Sequence, residues 1–405
     1  MKQMRVAIMV FFIFAFIVNA RAQNSTGSDW KELNANLSSL YRKGQYSEGL
    51  KAAQDAKDEA ERAFGKDSAN VTVFTNQVAR FQWMLGNYSD AEKLFRASLA
   101  IREQALGSDT VGVAESLNGL ALVLIDEGQF NEAGTLLTRA LAIKEKAYGP
   151  DDPQVAYAVD ALATLHQAEG KYTEAELLFQ RALTIRENAH DTDDPEVAIA
   201  LNNMALLYEA EGEYSRAEAL LKHAEKIDED SLGPDHPDLA TTLNNLAQVY
   251  IDQHNFREAE PLLRRALSIK EKVLGVRHPS LGPVLTNLGI LYRDEHNVPQ
   301  AEIDFTRALS IAEGAFGKEH PNVASASFNL GALYVKEHQY QKAEGYFQTA
   351  FSIDERAYGG DSLTVARDLD ALALVLSKTG RMAEAREMEA RAKKIRTAAK
   401  GHGGE

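Results

Sequence analysis

Between Ala198 and Gly212 the apolar residues Leu201, Met204, Ala205 and Tyr208 recur at i, i+3, i+4 and i+7. That spacing gathers them on one stripe of an α-helix. Gly212 then stops the pattern, being free to take the left-handed turn that ends a helix. A second stripe follows in Ala217, Leu220, Leu221, Ala224 and Ile227, and runs out near Gly233. Ser215 with Glu218, Thr173 with Glu176 and Ser89 with Glu92 have the spacing of a capping box at the start of this second helix. Pro237 presets the backbone for the next first helix. Residues 198–239 therefore predict a helix hairpin with an apolar face on each helix.

The hairpin recurs every 42 residues, as the ladder Ile101, Ile143, Ile185, Ile227, Ile269, Ile311, Ile353 and Ile395 shows. An alanine column (Ala91, Ala133, Ala175, Ala217, Ala259, Ala301, Ala343, Ala385) keeps the same step. So does a glycine column (Gly65, Gly107, Gly149, Gly233, Gly275, Gly317, Gly359), interrupted only by Asp191. Pro153, Pro195, Pro237, Pro279 and Pro321 punctuate the starts of successive pairs. A lone hairpin would leave much apolar surface wet, whereas stacking buries it. The expected fold is an all-α solenoid. Its parts are a degenerate capping repeat over 30–72, with Glu59 at the isoleucine position, an array over 73–382, and a capping helix over 383–399. A disordered tail is expected over 400–405.

Leu243-Asn244-Asn245-Leu246-Ala247 with Tyr250, then Ala259-Glu260, Arg265-Ala266-Leu267-Ser268-Ile269, Gly275 and His278-Pro279 resemble the tetratricopeptide repeat in its 42-residue kinesin-light-chain-like form. The resemblance spans about residues 30 to 399. It implies a right-handed α-solenoid, a superhelix whose first helices line a concave groove, and partners that are proteins or peptides. The motor's light chains carry a long heptad region before their repeats, and no such region precedes Trp30, so a motor-adaptor role is not expected.

Composition changes the picture mainly at the amino terminus. Lys2 and Arg5 precede an apolar run from Val6 to Val18, and Ala20-Arg21-Ala22 supplies a small-x-small cleavage pattern. Residues 1–22 are therefore expected to be a signal peptide cleaved after Ala22, followed by a short linker over 23–29. The mature protein would be exported, periplasmic or secreted, without stable membrane insertion. The alternative is a membrane anchor formed by an uncleaved signal, although a spanning helix needs about 20 apolar residues. Removing Lys2, Arg5 and Arg21 with the signal takes the formal net charge from −15 to −18. Such acidity disfavours nucleic acid and anionic lipid. Without cysteine the chain has no disulfides, so repeat packing must hold it. Sequons stand at Asn24, Asn36, Asn70 and Asn87.

Counting each first helix from its leading alanine (Ala198 is position 1), positions 2, 5, 6, 9, 12 and 13 cluster opposite the stack. Position 5 includes Asn118, Asn202 and Asn244; position 6 includes Asn203, Asn245, Asn287 and Asn329; Gln248 stands at position 9. An amide both donates and accepts, so this ladder could pair with a peptide main chain irrespective of its side chains. The resemblance implies that use for Asn203, Asn245, Asn287 and Asn329. The alternative is that these amides bond neighbouring helices. Leu206 and Ile290 add apolar surface to the candidate peptide-binding face, and Arg293 and Lys336 add charge.

Other repeated residues suggest no chemistry. His236, His278 and His320 precede prolines, and His254, His296 and His338 take a turn position held elsewhere by glycine. Packed helices keep such columns about 8–10 Å apart, too far for one metal ion to bridge, so neither metal nor cofactor is expected. Glu103, Glu145, Glu187, Glu229, Glu271, Glu313 and Glu355 recur as a solvent-facing or inter-repeat ion-pairing column. There is no Walker loop, H-E-x-x-H or nucleophile elbow. The sequence thus points to a non-enzymatic interaction scaffold, with a structural or self-assembling array as the alternative.

Overall fold

The computed structural model describes residues 27–189 and 193–401. The expected signal segment 1–22, residues 23–26 of the linker, Asp191 and residues 402–405 of the tail lie outside the described residues. Among those described, every regular element is a helix, and none is long and apolar enough to cross a membrane. The chain falls into two compact units, the first ending at Ser231 and the second beginning at Leu232.

In the first unit the pairs are α1 (Gly27–Arg42) with α2 (Tyr46–Phe64), α3 (Ala69–Met84) with α4 (Tyr88–Leu106), and α5 (Val111–Asp126) with α6 (Phe130–Tyr148). They continue as α7 (Pro153–Ala168) with α8 (Tyr172–Ala189), then α9 (Pro195–Glu211) and α10 (Tyr214–Leu232). The second unit pairs α11 (Pro237–Asp252) with α12 (Phe256–Leu274), and α13 (Leu281–Asp294) with α14 (Val298–Phe316). It ends with α15 (Pro321–Lys336) and α16 (Tyr340–Tyr358), then α17 (Leu363–Lys378) and α18 (Met382–Gly401). Within each unit, second helices also pack on the next first helix, as α4 does on α5 and α12 on α13.

The periodic columns form the core. The alanine column is 0–1% exposed throughout, which lets the helices of a pair approach closely. Of the isoleucine ladder all but Ile101 are buried, and Ile143, Ile185, Ile311, Ile353 and Ile395 each pack against the first helix of their own pair. The glycine column closes the second helices in a conformation that only glycine adopts readily: Gly149 has φ 93° and ψ 154°. At the hairpin turns His254, His296 and His338 have φ of 57–63°, so they do occupy the left-handed position that Gly212 holds at φ 82°.

Two local expectations need correction. The capping boxes do not form as such, because the second helices begin at Tyr88, Tyr172 and Tyr214, one residue before Ser89, Thr173 and Ser215. After the left-handed Gly86 the Asn87 carbonyl already accepts from Ala91 N–H at 3.0 Å, so the helix restarts directly from the turn. Glu92 pairs with Arg96, and Glu176 accepts from the Tyr208 hydroxyl. Prolines 153, 195, 237 and 321 open their helices, whereas Pro279 lies in a turn before α13, whose first residue is Leu281.

Four of the seven recurring glutamates bridge repeats. Arg139, Arg181, Arg307 and Arg391 reach back to Glu103, Glu145, Glu271 and Glu355 at 2.5–2.6 Å. The same guanidinium groups donate to the carbonyls of Ser108, Pro150, Val276 and Gly360, clamping the loop between pairs.

Candidate binding face on the first helices

Within each unit the first helices touch one another, α3 to α5 to α7 and α11 to α13 to α15, forming a continuous layer. In the second unit its accessible polar groups include Asn245, Gln248 and Asp252 of α11, Asp294 of α13, and Asn329 and Lys336 of α15. Position 5 turns further inward than the helical wheel suggested. Asn118 and Asn244 are buried, and the carboxylates that share their position face the second helix of their own pair. Asp160 meets Arg186 at 2.6 Å, and Asp370 meets Arg396 at 2.5 Å.

In the second unit several candidate residues come together. Asn287 Nδ2 donates to Asn244 Oδ1 across α13 and α11 at 3.1 Å. Arg293 Nε donates to Asp294 at 2.9 Å, and Lys336 Nζ from the next pair donates to the Arg293 carbonyl at 3.1 Å and to Asp294 at 3.2 Å. Gln248 donates to Asp252 one turn along its own helix. Asn245 is half-buried, as is Asn329, and no hydrogen bond holds the Asn329 side chain among the described residues. Ile290 is buried, as are Leu122, Ile125 and Ile251 at comparable inner positions, because adjacent first helices cover them. Leu374 remains 44% exposed.

In the first unit Asn202 Nδ2 donates to the Ala198 carbonyl one turn back, while Asn203 and Leu206 are half-buried. The Asn118 Oδ1 is enclosed without a hydrogen-bond partner among the described residues. A contact that the column reading missed joins Trp83 Nε1 to Asp126 Oδ2 at 2.6 Å. Burial pushes the Asp126 carboxyl up to about 6, against the pull of that bond.

A larger omission is the position after each ladder isoleucine. Arg102, Lys144, Arg186, Asp228, Lys270 and Asp354 stand there, and all are buried. Arg102, Lys144, Arg186, Lys270 and Asp354 tie their second helix to the next first helix. Arg102 bonds Thr72 Oγ1 at 2.7 Å, Glu115 at 3.1 Å and the Gly112 carbonyl. Lys144 and Lys270 donate to the carbonyls of Gln154 and Ser280 at 3.2 and 3.4 Å. Arg186 adds Glu196 at 3.4 Å and the Tyr157 ring at 5.2 Å. The signal was present in the sequence, since these charges keep the 42-residue step beside a buried column.

The repeated histidines have structural work. His236 and His320 accept the backbone N–H of Asp238 and Asn322 at Nδ1, the same N-cap role that Asp152 and Asp194 fill in the first unit.

Comparison with known proteins agrees with this architecture. The tetratricopeptide repeat profile matches residues 71–146, 112–188, 158–230, 196–272, 280–355 and 329–398. Among curated proteins none matches the chain. Kinesin-light-chain-like repeats from Podosopora anserina share 25% identity over 51% of this chain and 97% of theirs, with a TM-score of 0.43. Aspartyl phosphate phosphatase F from Bacillus subtilis is 13% identical, covers 93% of this chain and 96% of its own, and has a TM-score of 0.52. A Rap protein complexed with competence and sporulation factor is 14% identical over 92% of this chain and 99% of its own, with a TM-score of 0.56. At those identities the two longer matches speak for the fold alone. With the family profile spanning the array almost end to end on a 42-residue step, the chain belongs to the tetratricopeptide repeat family.

Proposed function

We propose that the protein is an exported scaffold that holds an extended protein segment along the first-helix layer, with α11, α13 and α15 as its main contact. The observation that carries this reading is the half-buried amide at position 6, Asn245 and Asn329, beside the Arg293–Asp294–Lys336 cluster on one layer. Half-burial restricts the orientation of both amides, and the Asn329 side chain has no hydrogen-bond partner among the described residues, so it can pair with a ligand main chain. Asn203 offers the same group in the first unit. Export rests on the pattern of residues 1–22.

The test uses peptides selected from a random display library on residues 23–405. Their affinities are compared among the wild type, Asn245→Ala with Asn329→Ala, and the outer-face variant Ile303→Ser. Loss of tenfold or more in the inner-face variant alone, about 1.4 kcal/mol, supports the layer as the site. Equal binding by all three folded proteins refutes it.

A further inference from the structure

Two acids, Asp228 and Asp354, stand in the buried column that carries cations in most other repeats, and the second is set against an arginine of the next helix. Asp354 of α16 occupies the buried position that Arg102, Lys144, Arg186 and Lys270 hold elsewhere, and the cation comes from α17 as Arg367. The neighbouring Asp368 adds a second buried carboxylate in a column that otherwise carries Ser116, Ala158, Ala200, Thr242, Val284 and Ala326. Arg367 Nη2 donates to Asp354 Oδ2 at 3.1 Å and to Asp368 Oδ1 at 2.7 Å, and its Nε donates to Asp368 Oδ1 at 3.0 Å. The guanidinium also lies over the Phe328 ring of α15 at 4.2 Å. Three helices thus meet at one group.

The carboxylate side chains are 2% and 0% exposed, and among the described residues the charges that act on them are each other and Arg367. One guanidinium balances one carboxylate. With both acids ionised, an uncompensated negative charge would be buried, so the pair retains a proton. Burial first, and then the Asp368 charge, hold the Asp354 carboxyl well above the usual carboxylate range. Asp368 Oδ2 is buried with no hydrogen-bond partner among the described residues.

We propose that Asp354, Arg367 and Asp368 form a proton-dependent clasp, which holds α17 and α18 on the stack while the carboxyl pair shares a proton and loosens that junction when the proton leaves. In the unfolded chain both acids ionise near pH 4. The folded state therefore binds a proton that the unfolded state has lost, and the clasp weakens as pH rises from that point through the raised folded value.

Amide exchange of the full mature chain, corrected for intrinsic rates, tests this at pH 5.5 and 8.5. Wild-type protection in α17 and α18 is expected to fall by about tenfold or more relative to α13 and α14 at the higher pH. Asp354→Asn, which keeps the shape and a donor toward Asp368, should remove that differential. An equal pH-dependent loss in variant and wild type, or no differential loss in the wild type, overturns the clasp. Should circular dichroism show that Asp354→Asn does not fold, Asp368→Asn provides the same readout.

Discussion

Substituting Gly289 by alanine should destabilise the α13–α14 pair, and Phe305→Leu should rescue it. A Cβ on Gly289 would stand 2.5, 2.6 and 2.9 Å from Cε1, Cδ1 and Cζ of Phe305. That ring is fully buried, so it can move only by displacing its neighbours. In α11–α12 the same two columns carry Ala247 and Leu263, both fully buried, so volume has moved from one partner to the other. Overpacking of this kind costs about 1–3 kcal/mol. The helix-propensity gain from glycine to alanine returns up to about 1 kcal/mol, leaving a net loss of about 1–2 kcal/mol. The columns also carry Ala163 with Phe179, so a shifted ring can be accommodated, which argues against a larger penalty. Phe305→Leu alone leaves a void and costs about 1–2 kcal/mol by lost burial. The assay is a double-mutant cycle read by urea denaturation and amide exchange in α13 and α14. A favourable coupling of at least about 1 kcal/mol is expected. Additivity within about 0.5 kcal/mol would refute the complementary-volume argument.

Two further substitutions probe the buried charges. Burial pushes the Lys270 ammonium down to about 8, with Asp238 opposing the shift. Between that value and about 10.4 the unfolded chain binds the proton that the folded chain lacks, so wild-type stability should rise with pH across this window. Lys270→Met should therefore be about 1–3 kcal/mol more stable than wild type at pH 7, with the gap narrowing at pH 10 in thermal unfolding; a gap independent of pH would contradict the assignment. Arg186→Met strands Asp160 and should cost about 3–5 kcal/mol, whereas Arg186→Met with Asp160→Ala should recover much of it; no recovery in denaturant titration would show that their ion pair is not the source.

The helix pairs were legible because their information is local: a stripe at i, i+3, i+4 and a turn residue recur in phase through every unit. The glutamate column was legible only as a pair of alternatives, since sequence spacing gives no distance from Glu271 to Arg307; the fold supplies it as 2.5 Å. The charges at Lys144, Arg186 and Asp354 escaped notice because a charged residue beside an apolar stripe ordinarily reads as solvated. They sit about 100° round the helix from the isoleucine, where the next pair covers them. Position 5 was misleading for the same reason, since a wheel drawn for one helix omits the neighbours that enclose Asn118 and Asn244. The capping pattern failed at Ser89 because the turn was too tight to leave a free first residue outside the helix.

The central claim is that the first-helix layer of the second unit holds an extended chain. Amide exchange of residues 23–405 with and without the tightest peptide selected from the display library tests it most directly. The expected result is added protection in α11, α13 and α15, weakened by Asn245→Ala with Asn329→Ala. Protection confined to α12, α14 and α16 would contradict it.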